Sequence, residues 1–309
     1  MFCNTILDAI GSTPLIKLSR MVPKGSADIY VKYEGANMGG SIKTRTAYHM
    51  INEAIIAGRL KKDSIIVEPT SGNQGIGLAM VGAVLGYPVK IIMPDSVSME
   101  RRYLISQYGA EVILVPDEGD IGKCIAACLE KALLMQAEDS RVFIPQQFTN
   151  PDNPAVHMRH TGPEILAQLN APIHGFCAGV GTGGTISGVG TVLKEANSEI
   201  LIWAVEPEHA AILSGGHITT HLQMGIGDGL IPENLNTEIY DDVCIVRDGD
   251  AIETAKKLAR EEGILAGISS GSNVAAALQL AKKLGVGKNV VTILPDTGER
   301  YFSTPLFES

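Results

Sequence analysis

Short apolar runs alternate with longer amphipathic stretches along most of the chain. Six of the runs read SIIVEP, VKIIMP, EVILVP, GFCAGV, EILIWAVEP and NVVTILP, and most are followed by a glycine-bearing turn and a helical pattern. Strands that are apolar throughout are typical of parallel sheets covered by helices on both faces. The pattern therefore predicts an α/β protein built from βαβ units.

The best boundary between two groups of such units is the segment 146–154, which is rich in proline and asparagine. A chain of 309 residues is long enough for one large domain or two smaller ones. In open α/β sheets, ligands bind outside the carboxyl ends of the strands. We therefore expect functional residues in the loops 70–75 and 179–185 and around Ser269.

Composition narrows the classes of partner. The net charge of −9 argues against nucleic acid or an anionic membrane as the main partner, although a local basic pocket for a phosphate stays compatible with it. We expect no secretory signal and no membrane span. The odd number of cysteines and the absence of a CxxC motif predict a reducing, cytoplasmic setting. Cys124 and Cys128 stand four residues apart on a predicted helix, where we expect small core residues rather than ligands.

The segment GVGTGGT, residues 179–185, satisfies the pattern GxGxxG after a strand and at the start of a helix. Glu206 follows at about the distance that a dinucleotide fingerprint requires, roughly 20 residues. The pattern by itself implies less than a dinucleotide site. N–H groups at a helix N-terminus bind an anion, most often a phosphate. A dinucleotide loop, a single-phosphate loop and a tight turn without a ligand all stay open at this point.

Ser269 lies in the segment GISSG, which satisfies the serine-hydrolase pattern GxSxG. A hydrolase of that fold needs a histidine after its serine, and the last histidine of this chain is His221. The hydrolase hypothesis therefore fails, and Ser269 needs another role or none.

Histidine and acidic patterns give little support to a metal. His217 and His221 have zinc-ligand spacing without the glutamate of HExxH, and His157 and His160 stand three apart on a predicted helix. We expect surface positions or hydrogen-bonded packing for both pairs. Asp228, in the segment GIGDGL, does not begin a calcium loop, because the alternating acids are missing.

Lys43 lies just inside a predicted helix start, after the segment GGS. Glycines allow a cofactor to approach closely, and a lysine that forms a Schiff base must reach a cofactor carbonyl. The pattern is compatible with that role and equally with a solvated lysine.

Nine motifs in order carry a resemblance to a known family: GGSIKTR, EPTSGNQGIGLA, QQFTNPDNP, TGPEI, GVGTGGTISG, AVEP, GIGDGLIP, GISSGS and DTGERY. Together they resemble the cysteine synthase (O-acetylserine sulfhydrylase) family, fold type II enzymes that depend on pyridoxal phosphate (PLP). The resemblance runs nearly end to end. It implies two domains of parallel-rich twisted sheet flanked by helices, similar to the tryptophan synthase β subunit. Residues 1–12 and 36–148 would form a smaller mobile domain, and residues 13–35 and 149–309 a larger one.

The resemblance also implies roles for individual residues. Lys43 would form the Schiff base with PLP and later act as the base at Cα, and Ser269 would bind the pyridine nitrogen. The phosphate would lie on Gly181, Thr182, Gly183, Gly184 and Thr185. Asn73 would contact both the 3′ oxygen of PLP and the substrate. The substrate would be bound by Thr70, Ser71, Gly72, Asn73, Gln74 and Gln147, and its carboxylate by Thr70, Ser71, Gln74 and Gln147.

Three positions depart from the family pattern. Met38 replaces a proline before the two glycines, which affects the rigidity of that loop. Gln74 replaces a threonine in TSGNTG, so a hydroxyl is lost and a bulkier amide enters. Asp228 stands where the family has a small uncharged residue. A carboxylate there can take a proton from water or a thiol, bind the amino group of a substrate, or only cap its own turn.

The implied function is β-replacement at Cβ of a serine-type amino acid, in which O-acetylserine and sulfide give L-cysteine and acetate. The alternative runs the same aminoacrylate chemistry on L-cysteine. It releases hydrogen sulfide and forms serine or lanthionine, with Asp228 as general base. The expected partners are a small amino acid, sulfide or a thiol, and a second copy in a homodimer. A module that only binds proteins and an NAD-dependent Rossmann enzyme are the rival classes.

Overall fold

The computed structural model describes residues 2–117 and 121–308. The strands are β1 (Leu15–Lys17), β2 (Asp28–Tyr33), β3 (Ile65–Pro69), β4 (Val89–Pro94), β5 (Glu111–Val115), β6 (Val142–Phe143), β7 (Gly175–Gly179), β8 (Leu201–Pro207), β9 (Asp242–Val246) and β10 (Asn289–Leu294). The helices are α1 (Lys43–Ile56), α2 (Asn73–Leu85), α3 (Met99–Gln107), α4 (Ile121–Glu138), α5 (Asp152–Val156), α6 (Gly162–Leu169), α7 (Gly184–Ala196), α8 (Asp248–Glu262) and α9 (Ile268–Leu284). A π-helical turn, His157–Thr161, joins α5 to α6.

The chain divides into two compact units. The first comprises Met1–Ile10 and Asn37–Asp152, and the second comprises Gly11–Ala36 and Asn153–Ser309. The mobility expected of the smaller domain stays a prediction.

The first unit is built on a parallel sheet in the order β5-β4-β3-β6. Because successive side chains of a strand point to opposite faces, Ile66 and Val67 of β3 enter different cores. Ile66 packs with Ile76 of α2, and Val67 packs with Cys124 and Cys128 of α4. Helices thus cover both faces, as the uniformly apolar runs predict.

The two α4 cysteines are core residues, as expected. Both thiols are free and buried, at 4% and 2% exposure for Cys124 and Cys128. Burial, with a smaller contribution from Cys124, raises the pKa of the Cys128 thiol to about 12. A thiol with that pKa stays protonated at neutral pH. It is therefore a poor nucleophile and serves as a core residue.

The second unit is built on a sheet in the order β1-β2-β10-β7-β8-β9. Its pairs are parallel except for β1 with β2 at one edge. All six apolar runs of the sequence are strands in these two sheets, and the α/β architecture with parallel-rich sheets flanked by helices is confirmed.

Four strands, β1, β2, β6 and β9, are not among the apolar runs of the sequence. Strand β2 does not read as an apolar run because it contains Lys32, whose side chain is fully buried. Its ammonium lies 2.7 Å from the Glu164 carboxylate and donates to the Thr13 carbonyl oxygen at 2.6 Å. A buried charge is tolerated only when it is paired in this way, and the partner lies more than a hundred residues away in the chain.

Within the described parts of the chain, we find no helix that is both long and apolar enough to cross a membrane.

Helices α8 and α9 pack closely because Gly271 has no side chain. A Cβ atom built at Gly271 would overlap the carbonyl oxygen of Ala251 in α8. Neither backbone can move far without disturbing the hydrophobic core of the second unit, to which Ala251 and Val274 both belong.

We therefore expect Gly271→Ala to lower the free energy of unfolding by about 1–3 kcal/mol, through overpacking of the helix contact. Urea denaturation measures the change. The matched control is Gly249→Ala in the first turn of α8, where no atom lies within 4 Å of the added Cβ. That variant should be neutral or gain up to about 1 kcal/mol from helix propensity. Equal stabilities of the two variants would contradict the packing argument.

Candidate active site

Lys43 is the first residue of α1, in agreement with the sequence. The preceding Gly39 and Gly40 both have φ +73°, a left-handed conformation that glycine adopts without strain. The Ser41 hydroxyl oxygen then accepts the N–H of Lys43 at 3.3 Å. The glycine pair and the serine thus fix the direction in which the chain enters the helix, and Lys43 itself is half-buried.

Met38 compensates for the missing proline with a hydrogen bond. Its N–H donates to the side-chain oxygen of Asn37 at 3.0 Å, and proline has no N–H for such a bond. Met38 also packs against the core that includes Ala47 and Met80. The loop is therefore held by side-chain contacts in place of a restricted φ.

Residues 70–72 connect β3 to α2 at the carboxyl end of the first sheet. The Thr70 hydroxyl accepts the N–H of Gly72 at 3.3 Å. Gly72 is the N-cap of α2 and has no side chain with which to cap it. The N–H groups of Asn73 and Gln74, in the first turn of α2, therefore donate no hydrogen bond to an N-cap side chain. They lie at the positive end of the helix dipole, which favours a carboxylate ligand.

Gln74 is 1% exposed. Among the described residues, neither its amide nitrogen nor its amide oxygen has a hydrogen-bond partner. An unsatisfied buried polar atom costs about 1–3 kcal/mol. The amide that distinguishes this chain from the family pattern is thus buried, and both of its polar atoms are unsatisfied among the described residues.

Gln147, which is 5% exposed, follows β6 in a tight turn. The buried carboxylate of Glu68 accepts the N–H groups of Gln146 and Gln147, each at 3.0 Å. Burial raises the pKa of Glu68 to about 7, and the two N–H groups hold it below a still higher value. Glu68 lies near the end of β3, and residues 70–74 follow that strand directly. Because Glu68 binds the Gln147 turn, the predicted carboxylate-binding residues lie at one end of the first sheet.

The glycine loop, residues 179–185, connects β7 to α7 in the second unit. Gly183 has φ +77° and is the N-cap of α7, whose first turn carries no acidic residue. A Cβ at Gly181 would lie 2.5 Å from the Gly225 carbonyl oxygen, and one at Gly184 would overlap the side chain of Asn153. Only glycine fits these positions, and the bare backbone of the loop opens a helix N-terminus, which is typical of a phosphate site.

Buried side chains hold this loop from three directions. Asn153 donates to the Thr182 hydroxyl at 2.9 Å, and His157 lies 3.4 Å from the Thr185 hydroxyl. Asn273 of α9 accepts the N–H of Gly179 at 2.7 Å. Ser269 stands one turn earlier on α9 and is 3% exposed. The second unit therefore brings Ser269 and the glycine loop onto neighbouring elements.

The segment GIGDGL is shaped by three glycines. Gly225, Gly227 and Gly229 have φ of +93°, +72° and +80°. The Gly227 N–H donates to the Val180 carbonyl oxygen of the glycine loop at 2.9 Å. The Asp228 carboxylate consequently lies beside that loop, with Oδ2 3.5 Å from the position of a Cβ on Gly181.

The structure gives other roles to the residues of the rival hypotheses. Glu206, which a dinucleotide loop would use for a ribose, is buried and accepts the N–H groups of Leu213 and Ser214. His221 accepts the Gln223 N–H on Nδ1 and lies 2.9 Å from the Gly227 oxygen through Nε2, which occupies both ring nitrogens. Over residues 2–117 and 121–308 there is no group of three His, Cys, Asp or Glu arranged for a metal ion.

Three supporting residues are absent from the sequence-based candidates: Glu68, Asn153 and Asn273. Glu68 leaves a usable signal, because it is the one charged residue in the otherwise apolar run SIIVEP. A carboxylate that is buried in a strand needs hydrogen-bond donors. The backbone N–H groups of the loops where parallel strands end can supply them. Asn153 and Asn273 carry no such signal, because asparagine is ordinary in a turn and tolerated in a helix.

Comparison with known proteins assigns the chain to a family. A cysteine synthase of Staphylococcus aureus is 50% identical over 305 residues, which cover 98% of this chain and 97% of that one. A crystal structure of a hydrogen sulfide-producing enzyme from Fusobacterium nucleatum has 42% identity and a TM-score of 0.92, and covers 97% of this chain and all of its own.

A cysteine synthase (OASS) structure from Entamoeba histolytica has 38% identity and a TM-score of 0.93, over 99% of this chain and 91% of its own. The family model described as pyridoxal-phosphate dependent enzyme matches residues 6–296. The expected cofactor is thereby confirmed, and this chain belongs to the family of pyridoxal-phosphate dependent enzymes.

Proposed function

We propose that this enzyme is a cysteine synthase, which replaces the acetoxy group of O-acetylserine with sulfide to give L-cysteine and acetate. The observation that carries the proposal is the 50% identity with a cysteine synthase over nearly the full length of both chains. The site residues supply what the reaction needs: a lysine, a phosphate loop and a carboxylate-binding helix N-terminus.

The glycine loop fits the phosphate of PLP. Its glycines leave backbone N–H groups uncovered at the start of α7, and the helix dipole there favours a dianion. We assign the phosphate to Gly181, Thr182, Gly183, Gly184 and Thr185. When bound, PLP draws electrons from Cα of the amino acid, which makes the Cα proton acidic and allows the β substituent to leave.

In this proposal Lys43 would hold the cofactor covalently before the amino acid binds. Its amine would then take the Cα proton and act as the base of the elimination. Ser269 would hydrogen-bond the pyridine nitrogen, and Asn73 would bind the 3′ oxygen. A neutral serine would leave the ring a weaker electron sink, which suits a reaction in which the leaving group takes the electrons.

The substrate carboxylate is assigned to the N-terminal turn of α2 and to the turn that carries Gln147. The donors are the hydroxyl and N–H groups of Thr70, Ser71, Gly72, Asn73 and Gln74, together with Gln147. In this proposal the amide of Gln74 takes the place of a threonine hydroxyl, with a separate NH2 donor and carbonyl acceptor instead of one group that does both.

Asp228 favours a second candidate function, the breakdown of L-cysteine. Its carboxylate lies beside the glycine loop, and a hydrogen sulfide-producing enzyme is among the similar structures. In this reaction the Cβ–S bond of cysteine breaks and hydrogen sulfide leaves. Asp228 then takes a proton from water or from a second cysteine thiol as the new bond to Cβ forms, which gives serine or lanthionine.

We further propose that the enzyme works as a homodimer in the cytoplasm. The resemblance of the chain to cysteine synthases supports the dimer, and the free thiols of its cysteines support a reducing compartment. Light scattering of the purified enzyme tests the dimer.

Gly181→Ala should weaken PLP binding about tenfold or more, a loss of about 1.4 kcal/mol, because the added Cβ displaces the loop from the Gly225 carbonyl oxygen. Titration of the apoenzyme with PLP, followed by visible absorbance, measures the affinity. Gly249→Ala, on the exposed start of α8, is the control and should bind PLP like the parent enzyme. Unchanged affinity in Gly181→Ala would refute the assignment of the phosphate.

Lys43→Ala should abolish both the visible absorbance of the lysine-bound cofactor and the formation of cysteine from O-acetylserine and sulfide. The reason is that no other group is assigned to hold the aldehyde carbon of PLP or to remove the Cα proton. Lys61→Ala, on an exposed loop of the same unit, is the matched control. Retained turnover in Lys43→Ala would remove the lysine from the mechanism.

Asp228→Asn separates the two candidate functions. If the carboxylate activates water or a thiol, the variant should lose sulfide release from L-cysteine by about 10²-fold or more, the usual contribution of a general base. Cysteine formation from O-acetylserine and sulfide should change less, because hydrosulfide is already a nucleophile. A variant that releases sulfide from L-cysteine at the parent rate would refute the role of Asp228 as general base, whichever of the two reactions the enzyme runs.

A further inference from the structure

Glu68 is a buried carboxylate that the mechanism does not use. It is the fourth residue of β3 and is 1% exposed. Its two oxygens accept one N–H each, from Gln146 and Gln147, at 3.0 Å. These bonds join the strand that leads into residues 70–74 to a turn nearly 80 positions further along the chain.

Among the described residues, no charged side chain contributes to the pKa of Glu68. Strand alternation places it on the face of Ile66, which packs against α2, and neither α2 nor the segment 144–150 carries an ionisable residue. Lys90 of β4 is in register with Val67 on the other face and pairs with Glu111 at 3.0 Å. The pKa of about 7 follows, because burial raises it and only the two N–H groups oppose the rise.

The turn that Glu68 holds is stiff. Gln146 has φ +58°, a left-handed conformation that is uncommon for a residue with a side chain. Its carbonyl oxygen accepts the N–H groups of Thr149 and Asn150, and the Asn150 side chain donates to the Pro145 carbonyl oxygen at 2.9 Å. The turn therefore moves as one piece, and the carboxylate sets the position of Gln147.

We propose that Glu68 is a positioning residue for the amino-acid substrate: its ionised carboxylate fixes the Gln147 turn where the substrate carboxylate binds. The proposal rests on the role assigned to Gln147 under the proposed function. Glu68 touches neither substrate nor cofactor in this account and acts only through the backbone of the turn.

The charge of Glu68 then controls substrate affinity. An ionised carboxylate accepts both N–H groups, whereas a protonated one directs a hydrogen toward one of them and loses that bond. Because its pKa is raised from 4.5 to about 7, the folded state favours the proton. The stability that this gives is present below pH 4.5 and is lost as pH rises through 7. The form that binds substrate is therefore the less stable form of the fold.

The first test is the pH profile of the parent holoenzyme. KM for O-acetylserine should be flat near pH 8 and rise about tenfold by pH 6, as the fraction of ionised Glu68 falls. In Glu68→Gln the KM should be high at every pH from 6 to 8, at least about tenfold above the parent at pH 8, because an amide offers one acceptor for two N–H groups. The kcat and the visible absorbance of the cofactor should stay close to the parent values.

A cycle with Gln147 shows whether Glu68 acts through the turn. Gln147→Ala should raise KM, and adding Glu68→Gln to it should raise KM no further. A flat parent profile between pH 6 and 8, or an equal effect of Glu68→Gln in both backgrounds, would overturn the proposal. If Gln147→Ala leaves KM unchanged, the assignment of Gln147 is wrong instead.

Glu262→Gln is the matched control in the second unit. The Glu262 carboxylate also accepts backbone N–H groups, those of Ser19, Arg20 and Met21. Its loss should lower stability without changing KM at any pH. A rise in KM equal to that of Glu68→Gln would assign the effect to general loosening of the fold and count against Glu68.

Discussion

Within each unit, the position of the loops at the ends of the parallel strands depends on buried side chains that bind backbone N–H groups. A parallel sheet satisfies its own backbone only up to the last residue of each strand, and the loops beyond need other partners. In the first unit the partner is Glu68, which holds the Gln147 turn. In the second it is Asn273, which accepts the Gly179 N–H at the end of β7. Together with the contacts of Asn153 and His157 to the glycine loop, these bonds hold the proposed binding loops on the sheets.

Glycine provides the complementary constraint, because it lets backbone approach backbone. At Gly181 and Gly184 the space for a Cβ is taken by the Gly225 carbonyl oxygen and the Asn153 side chain. The close approach of Gly225 to Gly181 brings the GIGDGL segment against the glycine loop, and Asp228 of that segment therefore lies beside the loop. The loop thus exposes N–H groups of its own and holds a carboxylate close by, a combination suited to binding one anion and moving a proton nearby.

Much of this arrangement can be predicted from local sequence. The six apolar runs are strands because a strand in a parallel sheet that helices cover needs mostly apolar residues. Lys43 begins a helix, and the loop at 179–185 opens another, because glycines and small polar residues mark those boundaries. The order of several such motifs indicates the PLP-dependent family more specifically than any one of them, and the family match confirms it.

The fold class follows from the periodicity of apolar residues along the chain, and the family with its cofactor follows from the resemblance of its ordered motifs. The folded structure was needed to show that Lys32 lies inside a strand, that the Glu206 carboxylate binds backbone N–H groups, and that Glu68 binds a turn far along the chain. A buried carboxylate or ammonium group is stable only beside its partners. For Lys32 and Glu68 these partners are distant in sequence and become neighbours only when the chain folds. For Glu206 they are the N–H groups of Leu213 and Ser214, which only the folded turn directs at the carboxylate.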